Sequence, residues 1–190
     1  MISIDLHAAQ IQGFFNIPID NFPASSLLAE TFIDTHSKEN IVVVSPDHGG
    51  VTRARMVANV LGAPLAIIDK RRPKPNVAEI QNIIGDVKGM RAIMIDDMID
   101  TAGTTVGAAN AAMEKGAKSV TAIATHGVLS GPAIERLKSA PIKNLVVTDT
   151  IRIPEEKILS NMKIITVADV FGAAINRIHN GESVSALFEF

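Results

Sequence analysis

The chain contains no cysteine, no tryptophan and no tyrosine. The first absence excludes disulfides and thiolate metal sites, and it fits a reducing compartment without proving one. The other two remove the usual aromatic platforms for stacking bases or sugars, leaving seven phenylalanines. No apolar run approaches the roughly 18 residues expected of a spanning helix, so no membrane partner is expected. A formal charge of −2 supplies no general attraction for nucleic acid, so basic clusters have to be weighed one at a time. The opening Met1-Ile2-Ser3-Ile4-Asp5 lacks the basic-then-apolar plan of a signal peptide, which makes a cytoplasmic location the expectation.

What is present is an apolar chain organised as alternating strands and helices. The 190 residues are 47% apolar, enough for one sizeable domain with or without an appendage. Ile41 to Ser45, Leu65 to Ile68, Arg91 to Asp96, Ser119 to Ala124 and Asn144 to Thr148 predict strands, several of them almost wholly apolar, as buried parallel strands are. Ala24 to Thr35, Val51 to Leu61, Gly103 to Lys115 and Gly131 to Lys138 predict helices. Gly62, Gly116 and Ala140-Pro141 stand where such helices should stop. The repeating order predicts an α/β fold, a mostly parallel sheet flanked by helices. The ends read as appendages: a strand and Gly13-Phe14-Phe15 within 1–23, and a helix patterned on Val170, Phe171, Ala174, Ile175 and Ile178 within 167–190.

Residues 93 to 105 carry the strongest signal. An apolar strand runs into Asp96 and Asp97. A third carboxylate, Asp100, follows, and then Thr101, Ala102, Gly103, Thr104 and Thr105 open a helix. Such a loop can aim backbone N–H groups and hydroxyls at one anion, helped by the positive end of the helix. Acids at a strand's carboxyl end lie where open α/β sheets place their ligands. Together they read as a cradle for a ribose phosphate. A helix cap would need one acid, and this loop has three.

Three further groups bear on chemistry. Ser45-Pro46-Asp47-His48-Gly49-Gly50-Val51 again ends a strand in an acid and a Gly-rich turn. Its glycines permit close approach of a phosphate, and Asp47 suits Mg²⁺. The arginines that follow, Arg53 and Arg55, read at least as readily as surface residues. Asp5 and His7 are placed on one face of a strand by their i, i+2 spacing, a weak ligand pair because imidazole seldom binds Mg²⁺. Lys70-Arg71-Arg72-Pro73-Lys74-Pro75-Asn76 packs four cations and two prolines into seven residues. That predicts an exposed, mobile loop able to close over a phosphate. Thr125-His126-Gly127 ends a strand at the same edge and carries no assigned chemistry.

Taken in order, Asp5-Leu6-His7-Ala8-Ala9-Gln10-Ile11-Gln12-Gly13-Phe14-Phe15, Ser45 to Val51, Lys70-Arg71-Arg72 and Asp96 to Thr104 closely resemble class I ribose-phosphate diphosphokinase, also called phosphoribosyl-diphosphate synthetase. The resemblance runs on through Ser183-Val184-Ser185. It implies a type I phosphoribosyltransferase-like fold and transfer of the β,γ-diphosphoryl group of MgATP to the C1 hydroxyl of ribose 5-phosphate, releasing AMP for nucleotide biosynthesis. By motif it implies His7 and Asp47 as magnesium positions and Lys70 and Arg72 as catalytic residues of a flexible loop. It implies Asp96 and Asp97 as ribose contacts, Asp100, Thr101, Ala102, Gly103 and Thr104 as the 5-phosphate loop, and Ser183 and Ser185 as part of a regulatory site built between subunits.

The departure from that pattern is length. The family has two similar α/β domains. Here 1–23 resembles a remnant of the first, 24–166 the ribose-phosphate domain, and 167–190 a helix and tail that pack on the first. The residues that clamp adenine are missing. Three readings follow: an impaired truncated synthetase, an enzyme that completes its ATP site by homo-oligomerising or with a partner chain, and a non-catalytic ribose-phosphate-binding or regulatory subunit. A phosphoribosyltransferase is a weaker fourth, since no nucleobase-recognition segment is evident.

Overall fold

The computed structural model describes the backbone of residues 1–33, 40–74 and 77–187, and the side chains of these residues except 32–33 and 70–81. Among the described residues, two short strands, β1 (Ile2–Ile4) and β2 (Asp20–Phe22), pair in parallel. They lead through α1 (Ser25–Ile33) into the main sheet. Its strands are β3 (Ile41–Ser45), β4 (Leu65–Lys74), β5 (Val77–Ile84), β6 (Arg91–Ile99), β7 (Ser119–Gly127), β8 (Ile142–Thr148) and β9 (Met162–Ile165). They lie in the order β5-β4-β3-β6-β7-β8-β9, parallel throughout except for the antiparallel β4–β5 edge. The helices α2 (Val51–Leu61), α3 (Gly103–Glu114), α4 (Ala133–Ser139) and α5 (Ala168–His179) complete the fold. This is the α/β, mostly parallel, helix-flanked architecture expected from the sequence.

Near-continuous apolar strands follow from burial on both faces. Val42 and Val44 pack in one core with Ala92, Met94, Val120 and Ala122, while Ile41 and Val43 pack in the other with Ile93, Ile95 and Ile123. The first core is covered by α3, whose Ala108, Ala109, Ala111 and Ala112 are buried and let it lie close on the sheet. The second takes Leu28 of α1, Val57 of α2 and Ala174 of α5. It also takes Ile4 and Phe22, so both chain ends contribute to the main core. Among the described residues no helix is long and apolar enough to cross a membrane.

Two expectations need correction. The segment from Lys70 is not a loop in its described part: β4 continues to Lys74 and pairs with β5, Lys70 opposite Ile80 and Arg71 opposite Glu79. β3 accompanies β4 as far as Ile67, and beyond it the hairpin continues as a ribbon. Register shifts between Asp69 and Lys70 and between Arg71 and Lys74 admit Pro73, which a regular central strand would not tolerate. Residues 75–76 and the side chains of Lys70, Arg71 and Arg72 lie outside the described residues. The second correction is at Asp5 and His7. The strand ends at Ile4, and Asp5 has φ 43°, so the two side chains do not share a strand face.

β3 connects through α2 toward one edge of the sheet, and β6 connects through α3 toward the other. The connections diverge between β3 and β6, which opens a crevice at the carboxyl ends of those two strands.

Candidate functional site

That crevice holds an open pocket of about 290 Å³ lined by His7, Asp47, Asp96, Asp97, Met98 and the loop Asp100 to Thr105. Three segments that lie far apart in sequence, around residues 7, 47 and 96–105, thus meet at one sheet edge. β6 runs past Asp96 to Ile99, held by β7 with Met98 opposite His126 and Ile99 opposite Gly127. This longer pairing fixes the backbone of both carboxylates. Asp97 is 4% exposed. Its N–H donates to Asp96 Oδ1 at 2.9 Å, and its Oδ2 lies 2.6 Å from His7 Nδ1. Arg53, in the first turn of α2, brings Nη1 to 3.6 Å from Asp96 Oδ1 and 3.8 Å from Asp97 Oδ1.

The pair is electrostatically unequal. Burial pushes the Asp96 carboxyl up to about 7, reinforced by the hydrogen-bonded, negatively charged Asp97 beside it. Burial pushes Asp97 upward as well. Hydrogen bonds with His7 and Asp96, together with the positive field of Arg53, outweigh that and hold it below the ordinary carboxylate value. Asp96 is the proton-accepting member of the pair near neutrality, and Asp97 the fixed negative charge.

The loop after β6 is braced from outside. Asp100 accepts a hydrogen bond from the Ser130 hydroxyl, and its carbonyl accepts from Ser130 N–H at 3.1 Å. Arg136 Nη1 donates to the Thr101 carbonyl at 3.0 Å. Ala102 adopts φ 61°, a left-handed conformation costing an alanine roughly 1–2 kcal/mol. Among the described residues no side chain caps α3, and its first residues, Gly103 to Thr105, line the pocket. No side chain of the described residues caps α2 either, but the β3–α2 turn before it differs: Asp47 Oδ1 accepts Gly50 N–H at 3.0 Å, and Asp47 O accepts the Ser45 hydroxyl at 2.7 Å. A Cβ at Gly50 would stand 3.1 Å from Ser45 Oγ, so a larger residue there would require that hydroxyl to shift.

The other candidates fall elsewhere. Asp5 is 9% exposed and accepts from Ala24 N–H and the Thr125 hydroxyl. These contacts turn it away from His7 and into the fold. Ser183 and Ser185 are exposed and bond to each other at 3.0 Å, with Arg177 Nη1 donating to the Ser183 carbonyl at 3.0 Å. They do not line the pocket. From sequence Arg53 reads as a surface residue, and nothing in the sequence marks Ser130 or Arg136. Only the neighbour relations of β3, β6 and β7 bring them to the acids and the loop after β6.

For Mg²⁺, no preformed group of three or more acidic or histidine ligands exists among the described residues. His7 and Asp47 line the same pocket as Asp96 and Asp97. That oxygen-rich set suits a hard cation which completes its shell with water and phosphate oxygens rather than with a protein cage.

The phosphoribosyl synthetase-associated domain model matches residues 51–189. The chain belongs to that family. It is 61% identical to the ribose-phosphate pyrophosphokinase of Caldanaerobacter subterraneus subsp. tengcongensis over 99% of this chain and 60% of the relative. The structure of phosphoribosylpyrophosphate synthetase from Mycobacterium smegmatis superposes with a TM-score of 0.85 at 41% identity, covering 95% of this chain and 58% of that one. The orotate phosphoribosyltransferase of Aeropyrum pernix, at 18% identity, a TM-score of 0.52 and coverage of 80% and 74%, shares the fold alone. The chain spans about 60% of the length of the curated relatives it matches.

Proposed function

We propose that this chain is a ribose 5-phosphate-binding module of the ribose-phosphate diphosphokinase type, acting as a non-catalytic or regulatory part of a larger synthetase. The observation that carries this reading is the meeting, in one pocket, of the Asp96–Asp97 pair and the uncapped start of α3. Carboxylates accept hydrogen bonds from vicinal sugar hydroxyls, and helix N–H groups donate to the oxygens of the 5-phosphate. Asp96 and Asp97 hold the ribose, and the loop Asp100, Thr101, Ala102, Gly103, Thr104 holds the phosphate. Arg53 keeps the acid pair from repelling itself apart.

Diphosphoryl transfer is the second reading, favoured by Arg53 beside the acids and by the metal-suited Asp47. In it the sugar C1 hydroxyl attacks the β-phosphorus of ATP in line, its proton is lost and AMP leaves. His7 and Asp47 would hold Mg²⁺, which supplies charge neutralisation on the phosphates. Lys70 and Arg72, on the β4–β5 arm, would stabilise the transferring group. The ATP site would be completed by a second copy or a partner chain. Exposed Phe14, Ile17 and Ile175, at 86%, 58% and 59%, suit such an interface. Ser183 and Ser185 would then belong to a regulatory site formed across subunits.

The test is calorimetric binding of ribose 5-phosphate paired with an AMP-release assay containing MgATP and the sugar. Binding without AMP supports the module. Sugar-dependent AMP release makes the chain an enzyme by assembly, and absence of binding refutes both.

A further inference from the structure

The buried carboxylate of Asp5 has no role in the site as described, although it stands two residues from His7. Its Oδ2 accepts from Ala24 N–H at 3.3 Å and from the Thr125 hydroxyl. Its N–H donates to the Phe22 carbonyl at 2.8 Å, and its carbonyl lies 3.0 Å from His126 Nε2. A carbonyl only accepts, so His126 carries its proton on Nε2. Nδ1 is then the acceptor for the Thr150 hydroxyl at 2.9 Å. Thr148 closes the network by donating to the Thr125 carbonyl at 2.6 Å. Every donor in this cluster has an acceptor, a rigid arrangement for a buried polar network.

The network sits at the level of the site. Thr125 and His126 are on β7, where Ala124 is opposite Asp96 and His126 is opposite Met98. Asp5 takes φ 43°, a conformation that aspartate tolerates better than most residues. It directs the chain across the sheet edge: Leu6 N–H donates to Asn21 Oδ1 at 3.1 Å, and His7 arrives 2.6 Å from Asp97 Oδ2. Two residues reach at most roughly 7 Å, so fixing Asp5 leaves His7 little slack. The His7 side chain is 70% exposed and packing alone does not hold it.

We infer that Asp5, Thr125 and His126 are positioning residues that anchor His7 on Asp97, and so set the direction in which the Asp97 carboxylate meets a sugar hydroxyl. The sugar part of this inference rests on the proposed ribose-phosphate reading; the anchoring of His7 does not.

The test uses the full chain and two readouts: the hydrogen-bonded imidazole N–H proton of His7 in the NMR spectrum, assigned by its loss in His7→Ala, and the Kd of ribose 5-phosphate. Thr125→Val removes the hydroxyl at constant shape. It should erase or move the His7 signal and weaken binding roughly tenfold, the scale found when a supporting partner of a ligand residue is lost. Thr125→Ser should restore both. If Thr125→Val does not fold, Thr150→Val at the outer end of the network should move both readouts in the same direction by less. An unchanged His7 signal and Kd in a folded variant that has lost only thermal stability would overturn the anchor. Failure of the native chain to bind ribose 5-phosphate would sink the sugar reading alone, because the His7 signal would still decide the anchor.

Discussion

The two acid-to-helix turns at the pocket look alike in sequence and are put to opposite uses. In the β3–α2 turn, Asp47 spends one carboxylate oxygen on Gly50 N–H, so the turn is closed on itself. In the β6–α3 turn, Asp100 accepts from Ser130, Arg136 fastens the Thr101 carbonyl, and Ala102 is held at φ 61°. There the helix start is kept open by braces from α4 and the segment before it. In this chain the strand-acid-glycine-helix pattern thus leaves its helix start open where the acid is engaged by a neighbouring segment. By this comparison the anion belongs at α3, and a cation at the remaining oxygen of Asp47.

The largest effect should come from disabling the open turn. Asp96→Asn combined with Asp100→Asn should weaken ribose 5-phosphate binding by roughly 100-fold or more, about 2.7 kcal/mol, with the circular dichroism spectrum unchanged. Unchanged affinity would remove the distinction between the turns.

Next in size is the pH dependence of stability. Asp96 has an ordinary value of 3.8 and about 7 in the fold, so between these pH values the folded chain keeps a proton that the unfolded chain has released. Its contribution to stability therefore falls as pH rises from about 4 to about 7, and is level above that. Asp96→Asn should be the more stable protein at pH 8, by an amount on the order of 1–3 kcal/mol after discounting for screening, and its denaturation midpoint should lose that slope. A variant less stable than the parent at pH 8 would show that Arg53 already offsets the charge.

Closing versus opening also predicts different costs for small changes. Asp47→Ala removes the acceptor of the Gly50 N–H and should cost about 1 kcal/mol of stability, while leaving metal-free sugar-phosphate binding within twofold. Ala102→Gly relieves a left-handed residue and should change stability by less than about 1 kcal/mol. It should still weaken binding, because the loop gains freedom; tighter binding would contradict bracing. Smallest on affinity is Lys70→Ala, expected to leave sugar-phosphate binding nearly untouched and to remove any AMP release, as a transition-state role requires.

Much of this architecture was legible because buried parallel strands advertise themselves. Ile41 to Ser45 and Val51 to Leu61 are observed with those same limits. β9, Met162–Ile165, escaped because an edge strand with Lys163 exposed carries neither an apolar run nor a clear alternation. β5 escaped because Glu79, Gln81 and Asn82 interrupt its apolar residues. The charged segment read as a loop because prolines argue against strands, and tolerance of Pro73 at a register shift on an edge hairpin is a property of pairing, not of composition. In the site, the acids and the glycines could be named because they adjoin strand ends. Arg53, Ser130 and Arg136 could not, since their partners are defined by which strands are neighbours. Asp5 misled for the same reason: its two-residue spacing from His7 implied a shared face, and the chain turns between them.

The most direct measurement is the change in backbone amide NMR signals as ribose 5-phosphate is added to the full chain without metal or nucleotide. The account predicts large shifts at Gly103, Thr104 and Thr105, and little movement at Gly49, Gly50 and Val51. Shifts concentrated at Gly49 to Val51, with Gly103 to Thr105 unmoved, would place the phosphate at the closed turn and contradict it.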